Sequence, residues 1–179
     1  AKQVELIRDL RPGASRLAVM WNPANAAYQQ QAVAQAREAA GQLGMRLRLV
    51  EARSASELER AFAGLGADPP EALLVLGEPL FVANATRIGE LLRKHRLLAV
   101  GGSRNYLGTG MVAIHAPDLA RSARRAAPYV DKILRGAKPA DLPVELETRF
   151  ELVVDLTAAR TLGVAIPPGV LARCDEVIQ

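Results

Sequence analysis

Five short polar stretches follow five apolar runs in this sequence, and together they carry the side chains able to recognise a small molecule. Asn22, Pro23 and Asn25 follow RLAVMW; Arg53 and Ser54 follow RLRLVEA; Glu78 and Pro79 follow EALLVLG; Ser103 and Arg104 stand behind LLAVG; His115 ends MVAIH. A carboxylate such as Glu78 pairs with a ligand ammonium. Asn25 and the backbone N–H groups of residues 26–28, at the start of a helix, suit a ligand carboxylate, and Ser103 with Arg104 adds donors for the same anion. Trp21 and Tyr106 offer rings for a flat or apolar ligand, although aromatics beside strand ends more often pack. Asn, Ser and Glu also cap helices and build turns, and a carboxylate in a helix's first turn is favoured by the dipole, so each residue alone reads either way. Side by side they describe a polar rim for a small zwitterion or polar solute.

Catalysis finds no such set of groups. His95 lies at a helix end, where it interacts with terminal carbonyls, and His115 has no sequence-linked carboxylate or cysteine with which to form a triad or metal site. The nucleophile elbow G-x-S-x-G, the P-loop and a G-x-G-x-x-G behind the first strand are missing from the sequence. The first strand ends in Asn22, where a phospho-acceptor would need an aspartate. A single cysteine, Cys174, excludes an internal disulfide and a cysteine metal site. The expectation is a binding protein rather than an enzyme, with no catalytic residue, no metal and no cofactor.

The net charge of +4 comes largely from arginines scattered along predicted helices. Their densest group, Arg121, Arg124 and Arg125, has i, i+3, i+4 spacing and reads as a solvated face. No basic run with interleaved aromatics occurs, so nucleic acid is not an expected partner. Nowhere do about 18 apolar residues run together without a charge, and the first ten residues are amphipathic rather than signal-like; an export signal is expected to lie outside these residues.

The elements that must position the rim alternate. RLAVMW (16–21) is a buried strand, followed by a helix from Asn25 to about Leu43 with Gly44 at its carboxyl cap. RLRLVEA (46–52) is the second strand, then a helix capped by Ser54 or Ser56 and closed by Gly66. EALLVLG (71–77) is the third, and Pro79 starts a helix that runs to Arg93, Lys94 and His95. LLAVG (97–101) and MVAIH (111–115) complete the set, with a long helix from Asp118 to Gly136. Unbroken apolar strands separated by helices predict a doubly wound parallel α/β sheet covered on both faces, in flavodoxin-like order 2-1-3-4-5. Beyond Gly136 the pattern changes: KPADLP is a turn-rich linker, VELETRFELVVDL is extended, and TAARTLG is a short helix. This tail is too poor in apolar elements to build a core of its own.

RLAVMWNPAN, EALLVLGEPLF, AAPYVDKILRGAKPADLPVELETRFELVVDL and AARTLGVAIPPGVLARCDEVI resemble the ABC-transporter substrate-binding protein family, whose better-known members take up aromatic amino acids such as tryptophan. The resemblance implies a periplasmic, two-lobed clamp that binds a small solute, an amino acid or a relative, and delivers it to an ABC permease in the inner membrane. By that comparison the chain is truncated: 14–115 is the ligand-binding α/β lobe, 1–13 a hinge or first-lobe helix, and 116–179 a crossover helix with first-lobe segments. The tail is then expected to pack on the main sheet, rearrange, or swap with a second copy as a homodimer. The family's ligand loops fall on Asn22 to Asn25, Glu78 to Pro79, and Ser103 to Arg104. An aspartate is common where Glu78 stands and an aromatic where His115 stands, which leaves the solute open. The alternative from another class is the effector-binding domain of a lac-repressor-like transcription regulator, which shares the architecture; a flavodoxin-like enzyme would need a cofactor.

Overall fold

The apolar runs become the strands of one sheet. The computed structural model describes residues 1–66, 68–145 and 149–179. In it β1 (Arg16–Trp21), β2 (Arg46–Glu51), β3 (Ala72–Val75), β4 (Leu98–Gly101), β5 (Ala113–Pro117), β6 (Phe150–Asp155) and β7 (Glu176–Ile178) lie in the order β2-β1-β3-β4-β5-β6-β7. The helices are α1 (Lys2–Leu10), α2 (Ala26–Gln42), α3 (Leu58–Ala63), α4 (Pro79–Ala83), α5 (Ala85–Lys94), α6 (Leu119–Leu134), α7 (Leu156–Leu162) and α8 (Pro168–Leu171). The predicted central order, β2-β1-β3-β4-β5, is the observed one, and the doubly wound α/β fold stands.

The central strands β1, β3 and β4 are apolar almost without interruption because both faces are covered, whereas the edge strand β2 carries Arg46, Arg48 and Glu51 and is mostly half-buried or exposed. Leu17 and Val19 point into a core built with α1, α2, α7 and α8, while Ala18 and Met20 point into a second core with Leu58, Phe62, Phe81, Ile88 and Leu92 of α3, α4 and α5. The pairs β1–β2, β1–β3, β3–β4, β4–β5 and β6–β7 are parallel. Beside β5 the chain runs the other way: Asp155 N–H donates to Val112 O, and Asp118 N–H donates to Arg149 O. The partners' numbers fall as those of β5 rise, which is the antiparallel pattern. The sheet is therefore mostly rather than wholly parallel.

Local signals hold at most boundaries. Gly44 (φ 66°) and Gly163 (φ 66°) close α2 and α7 in the left-handed region, and Asp118 caps α6 through Arg121 N–H at 2.8 Å. The single helix predicted from Pro79 to His95 is two, broken at Asn84, whose side chain turns back to donate to Leu80 O at 2.8 Å. Part of the predicted extended run from 144 lies on 146–148, outside the described residues.

Two compact units result, Ala1–Ala116 with Leu152–Gln179, and Pro117–Glu151. In the first, β6, α7, α8 and β7 pack on the main sheet. Ion pairs Arg104–Glu176 and Arg173–Asp9 fasten this segment, each exposed and worth at most about 1 kcal/mol. In the second, Arg125 pairs with Glu145, and Tyr129 Oη donates to Pro143 O at 2.9 Å. No residue of α6 is buried; Leu119 is 67% and Leu134 82% exposed.

Glu71 ties the entry of β3 to that of β1, accepting from Ser15 N–H (2.8 Å), Arg16 N–H (3.0 Å) and the Ser15 hydroxyl (3.1 Å). The Ser15 amide, above all, holds its carboxyl below the ordinary 4.5. A lowered folded pKa contributes stability at neutral pH that is lost on acidification. The Tm gap between the native chain and Glu71→Gln is therefore expected to close as pH falls below 4.5; a gap constant between pH about 7 and about 3 would contradict this.

Candidate functional site

In a parallel sheet, side chains that follow adjacent strands emerge at one edge. Register brings Met20 beside Val75 and Val75 beside Gly101, so the segments after β1, β3 and β4 start level with one another. Asn22 and Glu78 are both buried there. Asn22 Nδ2 donates to Glu78 Oε1 at 3.1 Å, Asn25 Nδ2 reaches the same oxygen at 3.5 Å, and Phe81 N–H donates to Glu78 Oε2 at 3.2 Å. Residues from two segments far apart in sequence are thus knit around one carboxylate. Every donor to it among the described residues is neutral.

Asn22 is itself held from both sides. Its Oδ1 accepts from Ala24 N–H at 3.0 Å, and its own N–H donates to Gln29 Oε1 at 2.9 Å. Gln29 is 1% exposed, and its Nε2, like Trp21 Nε1, is buried without a hydrogen-bond partner among the described residues. Sequence reasoning overlooked Gln29. The signal was present, since Gln29, Val33, Ala36 and Ala40 are all inward and recur at helical spacing.

The Ser103 segment abuts this cluster through backbone. A Cβ on Gly77 would lie 2.4 Å from Gly102 O and 3.7 Å from Ser103 Cβ, an approach that only glycine permits. Ser103 accepts from Asn105 N–H at 3.3 Å, capping a short turn. Arg104 does not stand free for an anion, because it pairs with Glu176. His115 is half-buried on β5, and burial pushes its imidazole below the ordinary 6.5. Its carbonyl accepts from Gln3 Nε2 at 2.7 Å. Pro23 and Pro79 each open a helical turn, where a residue lacking N–H costs nothing. Among the described residues Arg53 and Ser54 bond locally, to Glu51, Ser56 and Glu57.

Of the two rings considered for stacking, Tyr106 has no face open to a ligand. Tyr106 is wholly buried, its hydroxyl donating to Leu76 O at 2.8 Å, and burial drives its phenol far above the ordinary value. Trp21 packs half-buried against the core.

A hollow of about 140 Å3 lies at the opposite edge, lined by Leu92, Leu97, Gly108, Ala158 and Leu162 among others. Its charged groups are already engaged: Asp155 accepts from Ala158 N–H at 2.9 Å, and Arg93 donates to Thr109 O at 3.0 Å. Among the described residues no group of three or more His, Cys, Asp or Glu stands close enough to hold a metal, and no helix is long and apolar enough to cross a membrane.

Solved structures share this fold. A conserved domain protein from Vibrio cholerae O1 biovar eltor matches over 98% of this chain and 59% of its own, with TM-score 0.89 and 24% identity. An ABC domain in complex with L-Trp from Streptococcus pneumoniae matches over 99% and 61%, with TM-score 0.89 and 21% identity. A ligand-free, open substrate binding protein with adhesive properties from Clostridium difficile matches over 99% and 59%, with TM-score 0.73 and 18% identity. The chain thus spans about three fifths of the length of each. No curated protein matches it. The model of one family, described as ABC transporter substrate binding protein, covers residues 1–178. A match of that extent settles the family, one of substrate-binding proteins rather than enzymes: the chain belongs to the ABC transporter substrate binding proteins.

Proposed function

We propose that this chain is the solute-grasping part of an ABC importer's binding protein, periplasmic, and that its solute is an amino acid or close relative handed to a permease of the inner membrane. The supporting observation is Glu78. It is a buried carboxylate at the sheet's carboxyl edge, surrounded by neutral donors only. Carboxylates in such surroundings favour a cation. Of its three contacts, the Asn25 amide at 3.5 Å is the longest and comes from a half-buried residue; a solute ammonium displaces it and takes up the charge. The freed Asn25 amide and the amino end of α2 then face the solute carboxylate.

The uncovered apolar side of α6 is where a second lobe packs, or, in its absence, another copy of the chain. In the two-lobed clamp that lobe closes over the solute, shifting the population to the closed form that docks on the permease. One face alone supplies only part of the affinity, so the chain by itself is expected to bind at roughly 1 mM, about −4 kcal/mol. At about 10 mM an L-amino acid then raises Tm by about 3–6 °C. Thermal denaturation against L-amino acids, nucleobases and aromatic acids checks this, with N-acetyl amino acids as controls that lack the ammonium. No rise with any L-amino acid, or an equal rise with its N-acetyl form, overturns the reading.

A further inference from the structure

We propose that the hollow at the amino edge of the sheet is a second ligand site, separate from the Glu78 cluster, and that it takes a small apolar amine. The hollow, of about 140 Å3, opens between the end of α5, the loop through Gly108 and Gly110, and α7. Its floor is apolar, made by Leu92, Leu97, Ala158 and Leu162. A space of this size holds a single six-membered ring. Gly108 (φ 71°) and Gly110 (φ 104°) form the lip in the left-handed region, a conformation that reserves both places for glycine. At neither place does a side chain narrow the mouth.

Asp155 gives the class of ligand. It lines the hollow and is 6% exposed. Its Oδ1 caps α7 by accepting from Ala158 N–H at 2.9 Å, while its Oδ2 has no hydrogen bond or ion pair among the described residues. Capping needs one oxygen, which Asn, Ser or Thr supplies as well, so the cap accounts for neither the second oxygen nor the charge. Arg93, the other charged group of the lining, is turned to Thr109 O at 3.0 Å and makes no ion pair with Asp155 among the described residues. The Thr161 hydroxyl is likewise turned away, donating to Thr157 O at 2.9 Å. What faces the hollow is therefore an apolar surface beside one unpaired, enclosed carboxylate oxygen. A protonated amine on a compact apolar body supplies both the missing donor and the opposite charge. An alcohol of the same shape supplies the donor alone, and an acid brings like charge to Asp155.

The test is amide-resolved NMR of the chain titrated at neutral pH and millimolar concentration with benzylamine, benzyl alcohol and benzoate, three probes built on one ring. Benzylamine is expected to shift the amides of residues 92–97, 108–110 and 155–162 around the hollow. It is expected to bind about 3- to 10-fold more tightly than benzyl alcohol, with benzoate the weakest. Asp155→Asn keeps the cap and is expected to erase the difference between amine and alcohol. Ala158→Leu fills the hollow and is expected to abolish the shifts there from all three probes; if that variant does not fold, the Asp155→Asn comparison decides alone. Equal binding of amine and alcohol by the native chain, tighter binding of benzoate, no response to benzylamine, or an amine preference that survives Asp155→Asn would overturn the proposal. Benzylamine shifts confined to residues 22–29 and 78–81 would also overturn it, and would place amine recognition at the Glu78 edge alone.

Discussion

Glu78→Ala is expected to cost about 3 kcal/mol of stability, a fall in Tm of about 6–12 °C, and to remove amino-acid binding. The reason is the state in which the partners are left. Asn22 Nδ2 and Phe81 N–H donate to the Glu78 carboxylate from buried positions, and a buried donor without an acceptor costs about 1–3 kcal/mol. The Phe81 bond is also the cap on α4, so the same loss loosens the start of that helix. Glu78→Gln keeps the volume but offers one acceptor oxygen to donors that approach both, so it falls between. Chemical denaturation of the two variants decides: a loss below about 1 kcal/mol in Glu78→Ala means that the donors find other acceptors and the cluster does not organise the edge.

Gly77→Ala is expected to destabilise by about 2–3 kcal/mol and to weaken solute binding along with it. The added Cβ would sit 2.4 Å from Gly102 O and 3.1 Å from Gly102 C, and both are backbone atoms that no side-chain rotation can clear. The segments after β3 and β4 must then separate, drawing Ser103 away from Glu78. Gly41→Ala serves as the control: the same methyl on α2 meets nothing within 4 Å, and helix propensity predicts a gain of about 0.5–1 kcal/mol. Equal effects at the two positions would refute the close-approach argument.

The strands and their central order were legible because burial on both faces leaves one clear mark, apolar runs such as ALLV, and because Pro, Gly and Asn punctuate the ends. The rim at Asn22, Asn25 and Glu78 was legible for the same reason: in parallel strands, position after a strand is position in space. What escaped depended on contacts distant in sequence or on the choice between two faces. Arg104 reads as an available donor until Glu176 arrives 72 residues later. Tyr106 stands just beyond a strand, yet its short turn carries the ring inward to Leu76 O. Gln29 sits in a run of three glutamines, and only the helical phase of its apolar neighbours tells which of them is internal. The reversal of β6 rests on pairing across a long excursion that composition does not register.

That reversal makes the excursion a detachable appendix. Where neighbouring strands run the same way, a long crossover is obligatory, but opposed strands need only a tight hairpin. The chain departs at Pro117 and comes back at Phe150 on the adjoining strand, so the point of exit and the point of re-entry are side by side. The sheet itself asks nothing of the intervening residues beyond a link between the two strands.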